Sequence, residues 1–388
     1  MAPSETSLFT RRDFVRFCLA SGCAIPLLGG GLSLGADEEA EPRAEYGGVF
    51  YEKEARFWQA GEDKTVSCEL CPRSCTVPQG ARGFCGVRMN RGGKYYTLVW
   101  GNPCGLGIDP IEKKPFFHVL PGAKAFSIAA AGCNLRCKFC QNWDISQSRP
   151  EQTRNVDLPP AAVVAQAVKH DCQAVAFTYS EPVVFFEYMY DTAVAARERK
   201  LRPLVVSNGF INADPMAELC KVVTAVKIDL KGYTEGFYRD VCGARLRPVL
   251  ETLVLLKKLG MWFEIVNLIV PTLNDKPEDI RALCRWVKQE LGADVPLHFS
   301  AFTPLYKLAN LPRTPDKTMF DAYDVARAEG LNYVYVGNIA PAGHRAEKTY
   351  CPKCGKVIVD RRGYVVDRVD IKGGKCGFCG WAIPGVWQ

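Results

Sequence analysis

The sequence predicts an α/β protein: a partial, six-unit β/α barrel with a cysteine-rich extension before it and a cysteine-rich appendage behind it. Three observations predict this. Short, nearly continuous apolar runs recur at 125–131, 174–179, 203–207, 225–230, 262–270 and 296–302, with a seventh at 333–337; this is the pattern of parallel strands covered on both faces. Helical patterns separate the runs, so six strand-then-helix units in series imply right-handed crossovers and a parallel sheet curled into part of a barrel. Tight cysteine groups lie on both sides of this region. Eight full units are not evident, and a doubly wound open sheet is the alternative.

Taken in order, residues 1–36 look like an address. Thr10-Arg11-Arg12-Asp13-Phe14-Val15-Arg16 matches a twin-arginine signal, followed by a weakly apolar, Gly-rich stretch over 17–35, which points to export or to membrane anchoring on the periplasmic side. An ordinary amphipathic or disordered N-terminus is the competing reading. Residues 37–60 read as an acidic linker and 61–121 as a Cys-, Gly- and Pro-rich extension with weak periodicity. The core spans 122–345. Its clearest helix follows Asn274-Asp275: Pro277 suits the first turn, Glu278 and Asp279 favour its positive end, and Gly292 is placed to stop it. Residues 346–388 form the second cysteine-rich piece.

With 388 residues, 48% hydrophobic and 23% charged, the composition excludes disordered and fibrous classes. The net charge of +7 comes from scattered Lys and Arg, so there is no strong nucleic-acid signal. Beyond the leader no apolar run reaches the roughly 20 residues needed to span a bilayer, and the remainder is expected to be soluble.

Eighteen cysteines are the unusual feature. C-x2-C and C-x3-C groups in a long α/β chain favour metal or cluster ligation over a disulfide framework. Cys172, Cys220 and Cys284 sit in or beside helical patterns and read as small hydrophobes; Cys104 and Cys242 fall in Gly- or Pro-bearing turns and have no assignment. Cys133, Cys137 and Cys140 follow the first strand as C-x3-C-x2-C, at the end of a barrel strand where active sites form. Three thiolates can hold three irons of a cube and leave the fourth open. A fourth ligand from Cys172, Cys220 or another distant residue would close it.

This loop on such a strand resembles the radical S-adenosylmethionine (SAM) superfamily. The resemblance implies that a 4Fe–4S cluster on Cys133, Cys137 and Cys140 binds SAM, and that one electron cleaves it to methionine and a 5′-deoxyadenosyl radical that abstracts hydrogen from substrate. It further implies cofactor contacts at other strand ends. Phe139 matches an aromatic beside adenine. Glu181, in Thr178-Tyr179-Ser180-Glu181-Pro182, stands where relatives carry a G-G-E-P-like segment that contacts the SAM amino group; its glycines are absent here. Asn208 and Asp229-Leu230-Lys231 match segments that contact ribose and the methionine carboxylate, and His298 matches an adenosine- or substrate-facing histidine. Each has a plainer alternative: core filling for Phe139, hydrogen-bonded turn or strand-end roles for Asn208 and Asp229, a satisfied core imidazole for His298.

A closer resemblance covers almost everything after the leader. Cys68-Glu69-Leu70-Cys71-Pro72-Arg73-Ser74-Cys75, Gly83-Phe84-Cys85-Gly86, Asp109-Pro110-Ile111-Glu112-Lys113-Lys114-Pro115, residues 132–143 and Val336-Gly337-Asn338 resemble the AmmeMemoRadiSam system radical SAM enzymes, relatives of pyruvate formate-lyase activating enzymes. That implies Memo-like and AMMECR-like partners, and a one-electron donor of flavodoxin or ferredoxin type. SAM is made in the cytosol, which sets a cytoplasmic location against the export signal.

Cys351, Cys354, Cys376 and Cys379 form two C-x2-C knuckles separated by 21 residues, the pattern of a four-thiolate zinc ribbon, with an auxiliary iron–sulfur cluster as alternative. Cys68, Cys71, Cys75 and Cys85 are grouped as a second metal site of undetermined metal; disulfides compete if the chain is exported. The functions to distinguish are a radical SAM enzyme acting on a protein, as a glycyl-radical-type activating enzyme, or on a small molecule; a multi-cluster electron carrier; and a radical SAM enzyme that modifies RNA, with the ribbon as its nucleic-acid module.

Overall fold

Seven runs rich in Val, Ile, Ala and Phe pair side by side. A computed structural model describes residues 51–339 and 345–388; the twin-arginine segment lies outside them. The strands are β1 (Gly105–Pro110), β2 (Lys124–Ala129), β3 (Ala174–Phe177), β4 (Arg202–Ser207), β5 (Ala225–Asp229), β6 (Trp262–Ile269), β7 (Leu297–Ala301) and β8 (Val334–Gly337). They form one sheet in the order β8-β7-β6-β5-β4-β3-β2-β1. β2 through β8 are parallel, in sequence order. Only β1 is antiparallel, with Gly105 opposite Ala129 and Pro110 opposite Lys124. The ladder ends at β1 and β8 without joining them, so the barrel is partial.

Each of the first six parallel strands is followed by helix, including α1 (Pro160–Lys169), α2 (Phe186–Glu198), α3 (Ala213–Cys220), α4 (Arg247–Lys258), α5 (Pro277–Trp286) and α6 (Asp316–Ala328). The strands are buried on both faces because these helices cover the sheet: all four residues of β3 and the first four of β5 are buried. The helix expected after Asn274-Asp275 starts at Pro277 and continues through a π turn to Leu291. Gly292 ends it at φ +97°, a conformation that glycine adopts without steric cost.

Ahead of the barrel lie two small antiparallel sheets, Lys53–Glu54 with Lys94–Thr97 and Arg88–Arg91, and Trp58–Ala60 with Val66–Cys68 and Thr76–Val77. The extension is riveted to α2 by a buried ion pair, Arg88 Nη2 to Glu187 Oε1 at 2.8 Å.

The C-terminal piece, built on Thr349–Tyr350, Val357–Arg362 and Val365–Val369, reaches the opposite end of the barrel. Val386 N donates to His118 O at 2.7 Å, and Leu120 N donates to Val386 O at 2.8 Å. His118 packs among Trp262, Tyr333 and Trp387. Val386 also packs on a cluster containing Ala125, Ala174 and Ala225, each at or beside the start of its strand. The last residues of the chain thus floor the N-terminal end of the sheet, and the C-terminal end is left for chemistry.

Candidate active site

The loop leaving β2 begins with Gly132 at φ +93°. A Cβ there would meet Val87 Cγ1 at 2.6 Å and Cys85 O at 2.7 Å, so only glycine lets the loop lie against the extension. Two backbone bonds then fix its middle: Arg136 N to Cys242 O and Lys138 N to Val241 O, each 2.9 Å. They pin Cys137 onto the π turn Tyr238–Cys242. Cys133 Sγ accepts from Leu135 N at 3.3 Å, and Asn208 Nδ2 stands 3.9 Å from the same sulfur.

The residues that the resemblance assigns to SAM converge here, with one exception. Lys231 Nζ lies 2.7 Å from Asp229 Oδ2 and 6.0 Å from the centre of the Phe139 ring. Asp229 also takes Lys227 through its other oxygen. Burial alone would raise the Asp229 carboxyl, but the two lysines outweigh it and hold it at about 2. Burial works against the Lys231 charge, yet Asp229 and Cys137 raise it. Lys231 in turn favours ionisation of Cys137 and Cys140. Without a metal all three thiols are pushed up, Cys137 first by its hydrogen bond with Cys242 and then by burial, Cys133 and Cys140 by burial first.

Glu181 is buried at the end of β3. Its Oε1 accepts from Ser207 Oγ at 2.7 Å and Val183 N at 3.1 Å, and its Oε2 accepts from Asn208 N at 2.8 Å. Burial raises it to about 7 even against these donors. Two residues before it, Tyr179 sits at φ +67°, the left-handed region that favours glycine. The missing glycine is thus replaced by a residue held in a glycine-like conformation, with its hydroxyl donating to Asp109 Oδ2 at 2.8 Å.

His298 stands apart. Its Nε2 is 2.7 Å from Glu264 Oε2, a carboxylate that also accepts from the backbone of Phe117 and His118. Its ring packs on Phe117 and Tyr335. This is a hydrogen-bonded core imidazole in a network that reaches the C-terminal piece.

Three site residues escaped sequence reasoning. Lys227 was legible, because Lys-x-Asp-x-Lys over 227–231 puts three charges on one face of a strand and its continuation. Glu264 and Cys242 gave no such signal. Cys242 is completely buried and touches Cys137. Cys172 lies in the turn before β3 and Cys220 at the end of the outer helix α3, and neither is drawn into the loop.

The C-terminal cysteines form a compact group, with the ligand atoms of Cys351, Cys354, Cys376 and Cys379 all within 4.8 Å of one another. Two separations are 3.6 Å and 3.8 Å. Thiolates bound tetrahedrally at about 2.3 Å are separated by roughly 3.8 Å, so the set suits one four-coordinate ion. All cysteines among the described residues are free thiols.

Residues 127–287 match the Radical SAM superfamily. An uncharacterized protein of Methanocaldococcus jannaschii is 44% identical over 335 residues, covering 85% of this chain and 98% of that protein. The chain belongs to the radical SAM superfamily. A pyruvate formate-lyase-activating enzyme of Clostridium pasteurianum is 25% identical over 160 residues, 40% of this chain and 66% of that enzyme. A radical SAM methyltransferase structure from Sphaerobacter thermophilus aligns with a TM-score of 0.46 at 15% identity, over 56% of this chain and 67% of that one.

Membership of the radical SAM superfamily implies a 4Fe–4S cluster and SAM as cofactors. The loop fits them: three thiols converge beside a cation, with amide donors on Cys133 and a polar rim formed by Asn208, Glu181 and Asp229. N–H groups directed at ligand sulfur tune such clusters.

Proposed function

We propose that this radical SAM enzyme binds its cluster on Cys133, Cys137 and Cys140 and receives SAM between the strand ends that carry Glu181, Asn208, Asp229 and Lys231, with Phe139 beside the adenine. When bound, the cluster and SAM supply a one-electron cleavage that leaves a carbon radical able to take hydrogen from a substrate. The protein's part is to orient and to exclude water. The observation that carries the reading is the Lys231–Asp229 pair beside the three-cysteine loop, a fixed cation 6.0 Å from the centre of the Phe139 ring. Glu181 cannot swing away, because three donors hold it, and so presents a rigid acceptor to an ammonium group.

The likeness to the Clostridium pasteurianum enzyme supports a hydrogen-abstracting, activating-enzyme type of reaction on a protein substrate. We add to this reading an AmmeMemoRadiSam affiliation with Memo-like and AMMECR-like partners, a flavodoxin- or ferredoxin-type donor, zinc in the C-terminal quartet, and export directed by Arg11-Arg12. His298 is left out of this site, because its Nε2 is taken by Glu264 and its ring by Phe117 and Tyr335.

A second reading, a closed cluster that only carries electrons, is favoured by one observation: Cys242 supplies a fourth buried sulfur beside Cys137. One experiment separates the two. The chain is reconstituted anaerobically with iron and sulfide, reduced with dithionite in the presence of SAM, and its products are read by mass spectrometry. Formation of 5′-deoxyadenosine supports the enzyme; its absence from a fully loaded protein sinks it in favour of the carrier.

A further inference from the structure

We infer that Cys68, Cys71, Cys75 and Cys85 hold a second iron–sulfur cluster, packed directly against the loop that carries the first. Local structure gathers the four. Strands Val66–Cys68 and Thr76–Val77 pair antiparallel and bring Cys68 N to Cys75 O at 2.9 Å, with Cys71 in the intervening turn. The turn Gly83–Gly86 closes with a 2.9 Å backbone bond and aims Phe84 N at Cys75 Sγ, 3.5 Å away. Cys85 lies within electrostatic reach of Cys68, Cys71 and Cys75.

An independent observation points to an anionic occupant. Arg88 and Tyr95 are completely buried, yet Arg88 Nε, Arg88 Nη1 and Tyr95 Oη have no hydrogen-bond partner among the described residues. Glu187 and the Arg56 carbonyl take only Nη2 of the guanidinium. Both side chains border this quartet: Arg88 is felt by Cys68 and Cys85, and Tyr95 by Cys68, Cys75 and Cys85. Each orphaned buried donor costs about 1–3 kcal/mol, and several beside one set of thiols point to an absent acceptor. Thiolate and sulfide of a cluster would satisfy them.

Spacing disfavours a single ion here. Among the described residues, the C-terminal quartet is the group of cysteines whose sulfurs draw together within 4.8 Å. The sulfurs of the N-terminal quartet do not close to a one-ion tetrahedron. A cube of irons carries its thiolates on separate corners, farther apart than one ion allows.

The two cysteine sets are one residue layer apart. Cys85 O abuts Gly132. Arg136 Nη2 donates to Phe84 O at 2.7 Å, and Arg73 Nε donates to Asn134 O at 2.9 Å. Both guanidiniums lie over the Phe84 ring, at 3.9 and 4.1 Å.

The test is metal content of the full chain after anaerobic reconstitution. We expect about eight irons in the wild type and about four in Cys133→Ala/Cys137→Ala/Cys140→Ala, as a cube seen by Mössbauer spectroscopy whose EPR signal on reduction is unmoved by SAM. Adding Cys71→Ala and Cys75→Ala to that variant should remove the remaining iron and leave any zinc in place. Only about four irons in the wild type, an iron-free triple variant, or remaining iron that survives the two added changes would each overturn the inference. A wild-type count of only about four overturns the inference even if the variants do not fold. SAM cleavage is read separately, so an active chain with one cluster sinks this inference and spares the proposed function.

Discussion

Lys231 and Asp229 form an ion pair of 2.7 Å at the end of β5, and Lys227 holds the other oxygen of the same carboxylate. Two cations share one anion. That leaves one net positive charge beside the cysteine loop, the surplus that a carboxylate of an incoming ligand would neutralise.

Lys231→Met should therefore weaken SAM binding by about 10–100-fold, the worth of one charge-assisted hydrogen bond. The Asp229–Lys227 pair remains, so the cluster content should be unchanged. Equilibrium dialysis with labelled SAM reads the affinity. Unaltered binding would remove Lys231 from the site.

Glu181 carries a pH signature. Its buried carboxyl is raised to about 7, so its contribution to stability is complete below the ordinary Glu pKa and is lost as pH rises through about 7. His118, lowered to about 4 by burial, tilts stability the other way: its contribution is present above the ordinary His pKa and fades as pH falls toward 4. Asp109 and Asp229, held at about 2, act only as pH falls below the usual Asp range. The quantity to read is the difference between wild type and Glu181→Gln in cluster-free protein. Urea midpoints should show the wild type losing about 3 kcal/mol relative to the variant between pH 4.5 and 7. A constant difference would mean that Glu181 titrates normally.

Cys137→Ala should abolish the visible cluster absorbance and cut 5′-deoxyadenosine at least about a hundredfold, since even a residue outside the ligand set can cost 10–100-fold. The barrel should still fold, as read by circular dichroism. Cys242→Ala makes the contrast: the cluster should still assemble, and SAM cleavage should fall by no more than about 10–100-fold, the cost of losing a partner behind a ligand. Loss of the cluster in Cys242→Ala would identify Cys242 as a fourth ligand and favour the electron carrier.

Cys354→Ser should release the metal of the C-terminal quartet and lower the thermal midpoint by about 5–10 °C, because the metal stands in for a core that so small a piece cannot build. Iron content should be retained, since this quartet packs with Tyr333, Tyr335 and Phe117 near the barrel floor. Calorimetry with parallel zinc and iron analysis checks both. An unchanged midpoint after metal loss would show that the quartet contributes no stability.

The strands were legible because burial on both faces writes an apolar run that needs no partner to be seen. β1 was not. Gly105, Gly107 and Pro110 are poor strand formers, and the segment is extended because β2 pairs with it and because Tyr179 needs the space that Gly107 leaves. The loop cysteines were legible from spacing alone, since three ligands on one turn must converge wherever the fold puts them. Cys242 and Glu264 arrive from distant chain segments and carry no local pattern; tertiary packing decides their neighbours. His298 was legible as a chemically capable residue, yet its hydrogen bond to Glu264 is a property of β6 and β7 in register.

Trp387 and Val386 complete the floor on which the strands begin, so the base of the sheet is closed by residues far along the chain from the first strand they cover. Removal of Val386 and Trp387 would leave a barrel whose cofactor end keeps its contacts and whose base is open to water.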